Sequence, residues 1–222
     1  MIEIEQLASL LQTEIPMRYH HLNVGPDKPL LVFFHGYADS GQAFLRRAFP
    51  DLDSRYEILA INGLFPVPQK KDNVWKQAFA WYFADFQTNS ILIHPSISAK
   101  AVSHLVQSLG LTDRPKLLLA FSQGGFFLPH VLPYLKNVKH MISIAAGYWS
   151  AEYKTQLTIP LDGMHGIDDE VVSFAEAKKS FEALPRSNTP GIFKSFEGLK
   201  HTMNDESRVW LKNRIQEILG SR

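Results

Sequence analysis

Short apolar runs alternate with amphipathic stretches along most of this chain. Residues 30–34 (LLVFF) and 116–121 (KLLLAF) are almost wholly apolar, which is typical of strands buried on both faces of a parallel sheet. Weaker runs of similar length are spaced around these two. In chain order, strands are predicted at residues 17–24, 30–34, 56–61, 116–121, 140–145, 157–161 and 191–196.

Amphipathic segments lie between most of these strands. Helices are predicted at residues 42–49, 96–109, 123–135, 171–184 and 205–219. The residues expected on buried helix faces are Ile97, Ala101, Leu105 and Leu109 in the second helix, and Val209, Trp210 and Ile218 in the last. Strands separated by helices over most of the length predict an α/β fold with a doubly wound, mainly parallel sheet.

Two segments are less regular. Residues 1–15 fit either a short helix or an edge strand. Residues 62–80 form a long connection that contains Pro66, Pro68 and several aromatic residues. Connections of this length in a compact domain are usually functional or disordered, and the aromatic content argues against disorder.

Length and composition agree with one α/β domain over residues 1–222. Hydrophobic residues make up 45% of the chain and charged residues 20%, and 23 basic against 22 acidic residues give a formal net charge of +1. A chain of this size can bury a good core. Since no Lys/Arg block stands out, neither nucleic acid nor an anionic membrane is indicated as a partner.

Cysteine is absent from the sequence, which excludes disulfides, thiolate metal sites and cysteine nucleophiles. The first residues carry Glu3 and Glu5 where a signal peptide would carry basic residues, and no apolar segment is long enough to span a bilayer. We therefore expect a cytoplasmic protein without stable membrane insertion.

The candidate chemistry starts at residues 115–127, PKLLLAFSQGGFF. The apolar run stops at Ser122, and Gln123-Gly124-Gly125 favours entry into a helix. A serine at the tip of a sharp strand-to-helix turn is the arrangement called a nucleophile elbow, in which the turn exposes the hydroxyl to a base and to substrate. The alternative is a glycine-rich βα turn that holds a serine without catalytic role.

Three other predicted strands end in residues that complete such a site. Tyr37 follows the strand 30–34, Asp169 the strand 157–161, and His201 the strand 191–196. The carboxyl ends of parallel strands meet at one edge of a sheet, and the order Ser122, Asp169, His201 is that of α/β-hydrolase triads. The N–H groups of Tyr37 and Gln123 are the predicted oxyanion donors. Asp168 is adjacent to Asp169 and stays an alternative acid.

These residues stand in motifs that resemble the carboxylesterase/phospholipase family of α/β-hydrolases, which contains acyl-protein thioesterases, lysophospholipases and small bacterial carboxylesterases. The matching motifs are FFHGYADSG, INGLFPVP followed by AWYF, AFSQGG, HGIDDEVV and FEGLKH. The resemblance implies an α/β-hydrolase fold, with Ser122 as nucleophile, Asp169 as acid and His201 as base. It also implies Tyr37 and Gln123 as oxyanion donors.

The sequence departs from the family pattern at three positions. Ala120 and Ala38 replace expected glycines, and Ser173 stands where a proline often follows the two valines. The first replacement is expected to strain the elbow and the second to alter the oxyanion loop, so both bear on rate and substrate scope more than on fold.

Other polar and aromatic residues near the predicted site have two interpretations. His35 and His165 are expected to brace loops by hydrogen bonding, because a triad needs one base. The cluster 168–170 has no metal-binding spacing, so no metal is expected. Phe65 and Trp81, within or after the aromatic connection, are the predicted substrate-binding residues of an acyl pocket, and Trp81 is the one favoured as a neighbour of the site. The alternative is that these aromatic residues cover a sheet edge.

The sequence thus predicts a serine hydrolase that cleaves carboxylic esters or thioesters through an acyl-enzyme, without metal or organic cofactor. A preference for short to medium apolar acyl chains follows from the aromatic connection and the absence of a long apolar lid segment. Alternatives are a small serine peptidase, for which no domain that gates peptides is seen, and a non-catalytic binding protein of the same fold. The protein is expected to be a monomer or a homodimer.

Overall fold

The computed structural model describes residues 15–50, 55–71, 73–85, 88, 90–148, 157–185 and 191–220. The segment 1–15, predicted as a helix or an edge strand, lies almost wholly outside these ranges. The described strands are β1 (Tyr19–Leu22), β2 (Leu30–Phe34), β3 (Glu57–Ile61), β4 (Phe65–Lys71), β5 (Val74–Ala80), β6 (Phe83–Asp85), β7 (Ser90–Ile93), β8 (Lys116–Phe121), β9 (Val138–Ile144), β10 (Leu161–Gly166) and β11 (Phe193–Phe196). The helices are α1 (Gly41–Ala48), α2 (Pro95–Ser108), α3 (Gln123–Val131), α4 (Phe174–Glu182) and α5 (Asp205–Gly220), with a 3-10 turn at Leu132–Tyr134.

Seven of the described strands form one sheet in the order β1-β3-β2-β8-β9-β10-β11. The pairing of β1 with β3 is antiparallel, and the other neighbours pair in parallel. The strand order runs outward in both directions from β2 and β8, as expected when successive crossover helices cover opposite faces. The predicted doubly wound, mainly parallel α/β fold is confirmed.

The central strand β2 shows why its sequence is wholly apolar. Leu31 and Phe33 pack on one face, in a core cluster with residues of α1 and α5. Val32 and Phe34 pack on the other face with residues of α2 and α3. Side chains alternate across a strand, so a strand covered by helices on both faces needs an apolar residue at every position.

The strand predicted at 157–161 is displaced along the chain, since β10 spans Leu161–Gly166. Aspartate is uncommon inside strands, but the buried carboxylate of Asp162 accepts hydrogen bonds from the Arg214 side chain and the Ile192 N–H. A Cβ on Gly163 would lie 2.6 Å from the Phe193 ring, so the glycine reflects close strand packing. A polar residue and a glycine that resemble a loop therefore sit inside a strand.

The connection 62–80 is ordered, but it is a β-hairpin and not a loop. β4 and β5 pair antiparallel from Phe65↔Ala80 to Lys71↔Val74. Asn73 in the turn has φ 61°, a left-handed conformation that asparagine tolerates. Prolines fit a two-stranded ribbon because each strand has one edge without ladder hydrogen bonds.

The two predicted helix faces are only partly right. The residues of α2 that are buried are Pro95, Ser98, Ala99, Val102 and Val106, and Ile97 is exposed. On α5 Val209 is exposed, whereas Trp210 and Ile218 pack against the core beside the buried Leu211 and Ile215. Apolar residues occur on more than one side of both helices, so the spacing alone did not decide which side faces the sheet.

Candidate active site

Ser122 stands at the turn between β8 and α3 with φ 50° and ψ −118°. A non-glycine residue adopts such a conformation at a strain of about 1–3 kcal/mol. The backbone is held on both sides, because the Ser122 N–H donates to the Ile144 carbonyl and the Ser122 carbonyl accepts from the Gly125 N–H, both at 2.8 Å. A Cβ on Gly124 would lie 2.3 Å from the Phe34 carbonyl oxygen. The predicted elbow is present, and its close crossing of β2 requires glycine at position 124.

A chain of hydrogen bonds joins three of the predicted site residues. Nε2 of His201 lies 3.0 Å from Oγ of Ser122, and Nδ1 of His201 lies 2.8 Å from Oδ2 of Asp169. With the Nδ1–H donated to the carboxylate, Nε2 is the nitrogen that can accept the serine proton. The arrangement has the geometry of a nucleophile, a base and a group that orients the base.

The Asp169 carboxylate is fully buried, and its second oxygen is also satisfied. Oδ1 accepts hydrogen bonds at 2.9 Å from the backbone N–H groups of Val171 and Val172. Buried charges need such partners to persist. Asp168, the alternative acid, is exposed to solvent and does not occupy this position. The structure therefore places Asp169, and not Asp168, against His201.

Tyr37 and Gln123, the predicted oxyanion donors, both lie on the cavity wall beside Ser122. Gln123 is the first residue of α3, so its backbone N–H has no carbonyl partner within the helix. Tyr37 lies in the loop that follows β2, at the same edge of the sheet. The two residues approach the serine from neighbouring strands, as an oxyanion hole of this type requires.

The departures from the family pattern have different structural outcomes. Ala120 lies in β8, fully buried and outside the positive-φ region, so its methyl group fits the core without strain at that residue. Ala38 has φ 51°, in the left-handed region that favours glycine, so the replacement next to Tyr37 carries backbone strain. Ser173 caps α4, with its Oγ accepting from the Glu176 N–H.

A cavity of about 720 Å³ opens beside Ser122. Five aromatic residues contribute to its walls, namely Tyr37, Tyr82, Phe83, Phe126 and Tyr148. Residues 171–173 and Glu176, Ala177 and Ser180 of α4 also line it. Volume and lining are typical of a site that encloses an apolar group next to a few polar ones.

The two predicted pocket residues lie at different distances from this cavity. The ring of Phe65 contacts that of Phe83 at 5.7 Å between centroids, so it supports the wall from behind. Trp81 is not among the lining residues and is fully buried. Its ring stacks on Phe127 at 4.8 Å and packs on Phe34, in the core between α3 and the sheet. The prediction that Trp81 contacts substrate does not agree with this position.

Several cavity residues were not predicted from the sequence, among them Tyr148, Phe126 and the residues of α4. Tyr148 follows β9, and the rule that ligands bind at the carboxyl ends of strands would have found it. Phe126 lies near the start of α3 and is partly buried. The side chain of Gln123 bonds the backbone of Trp81 and Tyr82, which the strand-to-helix pattern does not predict.

His35 is buried and its hydrogen bonds brace the loop after β2. Nδ1 lies 2.6 Å from the Gly36 carbonyl oxygen, and Nε2 accepts from the Gly63 N–H at 2.8 Å. Burial lowers the pKa of His35 to about 4, so the ring is neutral at pH 7. His165 similarly lies against the Val172 carbonyl, and burial lowers its pKa as well.

A second cavity, of about 770 Å³, lies at the opposite ends of the strands. Its lining includes Lys116, whose ammonium donates to three backbone carbonyls at 2.7 to 2.9 Å. Arg214, also in the lining, pairs with the buried Asp162 at 2.7 Å. These cations already have partners within the protein, so the cavity beside Ser122 is the better candidate for ligand binding.

Within the described ranges, no group of three or more His, Cys, Asp or Glu side chains could hold a metal ion. No helix within those ranges combines the length and the apolar character needed to cross a bilayer.

The sheet, its flanking helices and a serine at a strained elbow next to a histidine and a buried carboxylate are the features of the α/β-hydrolases. The chain belongs to the phospholipase/carboxylesterase family, whose model matches residues 23–219.

Among curated proteins, a probable carboxylesterase SOBER1-like of Arabidopsis thaliana is 28% identical over 124 residues, which are 50% of this chain and 47% of that protein. The chain thus matches about half the length of this relative. Among solved structures, acyl-protein thioesterase 2 of Zea mays superposes with a TM-score of 0.68 at 19% identity, covering 91% of this chain and 99% of that one. SOBER1 of Arabidopsis thaliana superposes with a TM-score of 0.67 at 21% identity, covering 86% and 99%. These likenesses establish a shared fold.

The buried neutral state of His35 predicts a loss of stability on acidification. Between pH 6.5 and about 4 the unfolded chain binds a proton at this residue that the folded chain does not. The stabilisation from this difference is fully present above pH 6.5. The free energy of unfolding then falls by about 3 kcal/mol as the pH decreases through this window. In urea unfolding at pH 7 and pH 4.5, His35→Gln should lose less stability between the two pH values than the parent chain. An equal loss in both proteins would mean that His35 becomes protonated in the folded state.

Proposed function

We propose that this protein hydrolyses carboxylic esters or thioesters through an acyl-enzyme on Ser122. The observation that carries the proposal is the hydrogen-bonded chain from Ser122 through His201 to the buried Asp169, at the mouth of an aromatic cavity. Membership of the phospholipase/carboxylesterase family supports hydrolysis of this class of bond. Relatives described as a carboxylesterase and as an acyl-protein thioesterase support it further.

In the first half of the reaction, Oγ of Ser122 attacks the carbonyl carbon of the substrate while Nε2 of His201 takes the hydroxyl proton. Asp169 stabilises the imidazolium through the Nδ1–H hydrogen bond. The backbone N–H groups of Tyr37 and Gln123 hold the oxygen that becomes negative in the tetrahedral intermediate. The alcohol or thiol then leaves with the proton from His201, and the acyl group stays on Ser122.

In the second half, a water molecule takes the place of the leaving group. Nε2 of His201 removes a proton from this water as it attacks the acyl carbon, and the same two N–H groups hold the oxyanion. Collapse of the intermediate releases the carboxylic acid and returns the proton to Ser122. His201 can serve both halves because its side chain is 18% exposed and so reaches solvent as well as Ser122.

The cavity supports a substrate with an apolar acyl group of short to medium length. Its volume of about 720 Å³ and its aromatic walls offer apolar contact directly next to Ser122. Each methylene group that enters such a cavity contributes about 0.8 kcal/mol, which is roughly a fourfold gain in kcat/KM.

A series of p-nitrophenyl esters tests this preference. We expect kcat/KM to rise roughly fourfold per added methylene through the short esters and to stop rising once the cavity is filled. Initial rates across acetate, butyrate, hexanoate, octanoate, dodecanoate and palmitate would show the profile. Hydrolysis of long-chain lysophospholipid together with inertness toward the short esters would contradict it.

Removing the serine hydroxyl should abolish the activity. We expect Ser122→Ala to lower kcat for p-nitrophenyl butyrate by a factor on the order of 10⁴ or more, because nothing else at the elbow can form the acyl-enzyme. Intact-mass analysis after a fluorophosphonate probe should show one adduct on the parent chain and none on this variant. Ser103→Ala, which removes a half-buried serine hydroxyl on α2, is the matched control and should retain both the activity and the adduct.

Absence of an adduct on well-folded parent protein, together with lack of ester and thioester hydrolysis, would contradict the proposal. The non-catalytic binding protein would then be the better interpretation.

Exchange of each neighbouring aspartate tests the assignment of the acid. Asp169→Asn keeps the size of the side chain but favours the tautomer with the proton on Nε2, so we expect kcat to fall by roughly 10⁴-fold. Asp168→Asn removes an exposed charge and should keep kcat within about twofold. Steady-state kinetics of both variants on one ester decides the matter, and a larger loss in Asp168→Asn than in Asp169→Asn would overturn the assignment.

A further inference from the structure

Trp81 makes two hydrogen bonds to segments that flank Ser122. Its backbone N–H donates to Oε1 of Gln123 at 3.0 Å, and its indole Nε1–H donates to the carbonyl oxygen of His35 at 2.8 Å. Gln123 follows Ser122 at the start of α3, and His35 directly follows β2. One buried residue is thus bonded to both sides of the candidate site.

The side chain of Gln123 completes the connection. Its Nε2 donates to the Tyr82 carbonyl at 2.9 Å while its Oε1 accepts from the Trp81 N–H. A glutamine amide that bonds the N–H of one residue and the carbonyl of the next has a fixed orientation, and so does the helix start that carries it. The first residue of α3 is therefore tied to the segment between β5 and β6.

Trp81 itself has little freedom to move. It is fully buried, its ring stacks on Phe127 at an interplanar angle of 14°, and its carbonyl accepts a hydrogen bond from the Ser98 hydroxyl of α2. A residue that is fixed by contacts with several helices and strands also restricts the movement of the groups to which it is hydrogen-bonded.

The two bonded segments carry the two proposed oxyanion donors. The backbone N–H of Gln123 is one donor, and Tyr37, two residues after His35, supplies the other. Donors of this kind act at about 2.7–3.1 Å from the developing oxyanion, and a displacement of about 1 Å is enough to lower the rate strongly. The spacing between the two donors therefore depends on what joins their segments.

We propose that Trp81 is a positioning residue that sets the distance and orientation between the two oxyanion donors through its backbone N–H and its indole N–H. This inference rests on the proposed function, since it assigns a role in stabilising the tetrahedral intermediate. It also gives a reason for tryptophan at this position: phenylalanine would retain the stacking on Phe127 but has no group that donates to His35.

The test is Trp81→Phe, with Trp210→Phe as matched control. Trp210 is a half-buried tryptophan of α5 that packs on Phe196. It is far from Ser122 in the chain and belongs to the core cluster on the other face of the sheet from Trp81. We expect Trp81→Phe to lower kcat for p-nitrophenyl butyrate roughly tenfold or more and to change KM less than about twofold, because donor position acts on the transition state. Trp210→Phe should keep both constants within about twofold.

A trifluoromethyl ketone gives a second readout that a purely structural role would not change. The hemiketal oxyanion that this inhibitor forms with the serine hydroxyl needs the same donors, so its inhibition constant for Trp81→Phe should rise by about the same factor by which kcat falls. Thermal midpoints of all variants are measured in parallel. A lower midpoint with unchanged kcat and unchanged inhibition constant would overturn the inference and leave Trp81 as a core residue only.

Gln123→Met supplies an independent variant should Trp81→Phe fail to fold. It removes both side-chain hydrogen bonds but keeps the backbone N–H of residue 123, and it should lower kcat and inhibitor affinity in the same way. Unchanged kcat in this variant would overturn the inference. Lack of hydrolysis and of fluorophosphonate labelling in the parent chain would instead reject the proposed function, and the role of Trp81 with it.

Discussion

The site depends on the register of β8 between β2 and β9. Ala120 lies opposite Phe34 on one side and opposite Ser143 on the other, and Phe121 lies opposite Ile144. Since parallel ladders fix where each chain leaves the sheet, Ser122 emerges level with the loop after β2. The N–H of Ser122 continues the ladder by donating to Ile144, although its φ is already positive. The strain at Ser122 is thus carried by a strand that cannot shift without losing its burial on both faces.

The environments around the site give its histidines different properties. His35 is enclosed, uses both ring nitrogens within its own loops, and stays neutral because burial lowers its pKa. His201 is partly exposed and lies between a hydroxyl and a buried carboxylate. The carboxylate of Asp169 is in turn fixed by two backbone N–H groups. A buried carboxylate with both oxygens hydrogen-bonded favours one orientation of the His201 imidazole, which the proposed role of this residue as base requires.

The aromatic residues divide into a cavity wall and a supporting core. Tyr37, Tyr82, Phe83, Phe126 and Tyr148 line the cavity, and Phe65 packs behind Phe83. Trp81 belongs to the core, where its ring is stabilised by apolar stacking. Its two N–H groups donate hydrogen bonds to the segments beside Ser122. The β4–β5 hairpin delivers Trp81 and Tyr82 to this place directly after its second strand. The same short segment therefore contributes one residue to the wall and one to the network behind it.

Much of the fold and of the candidate site was predictable because it depends on local pattern. The wholly apolar runs of β2 and β8 predicted buried strands, the glycines after Ser122 predicted the elbow, and the order of serine, aspartate and histidine at strand ends predicted which side chains meet.

Other features depend on contacts between distant segments. Asp162 can lie inside β10 because Arg214, far along the chain, pairs with it. Asp169 rather than Asp168 faces His201, and Trp81 lies in the core rather than in the cavity, because packing decides which of two similar neighbours points inward. Local periodicity carries no information about a distant partner, so these features were settled only by the tertiary structure.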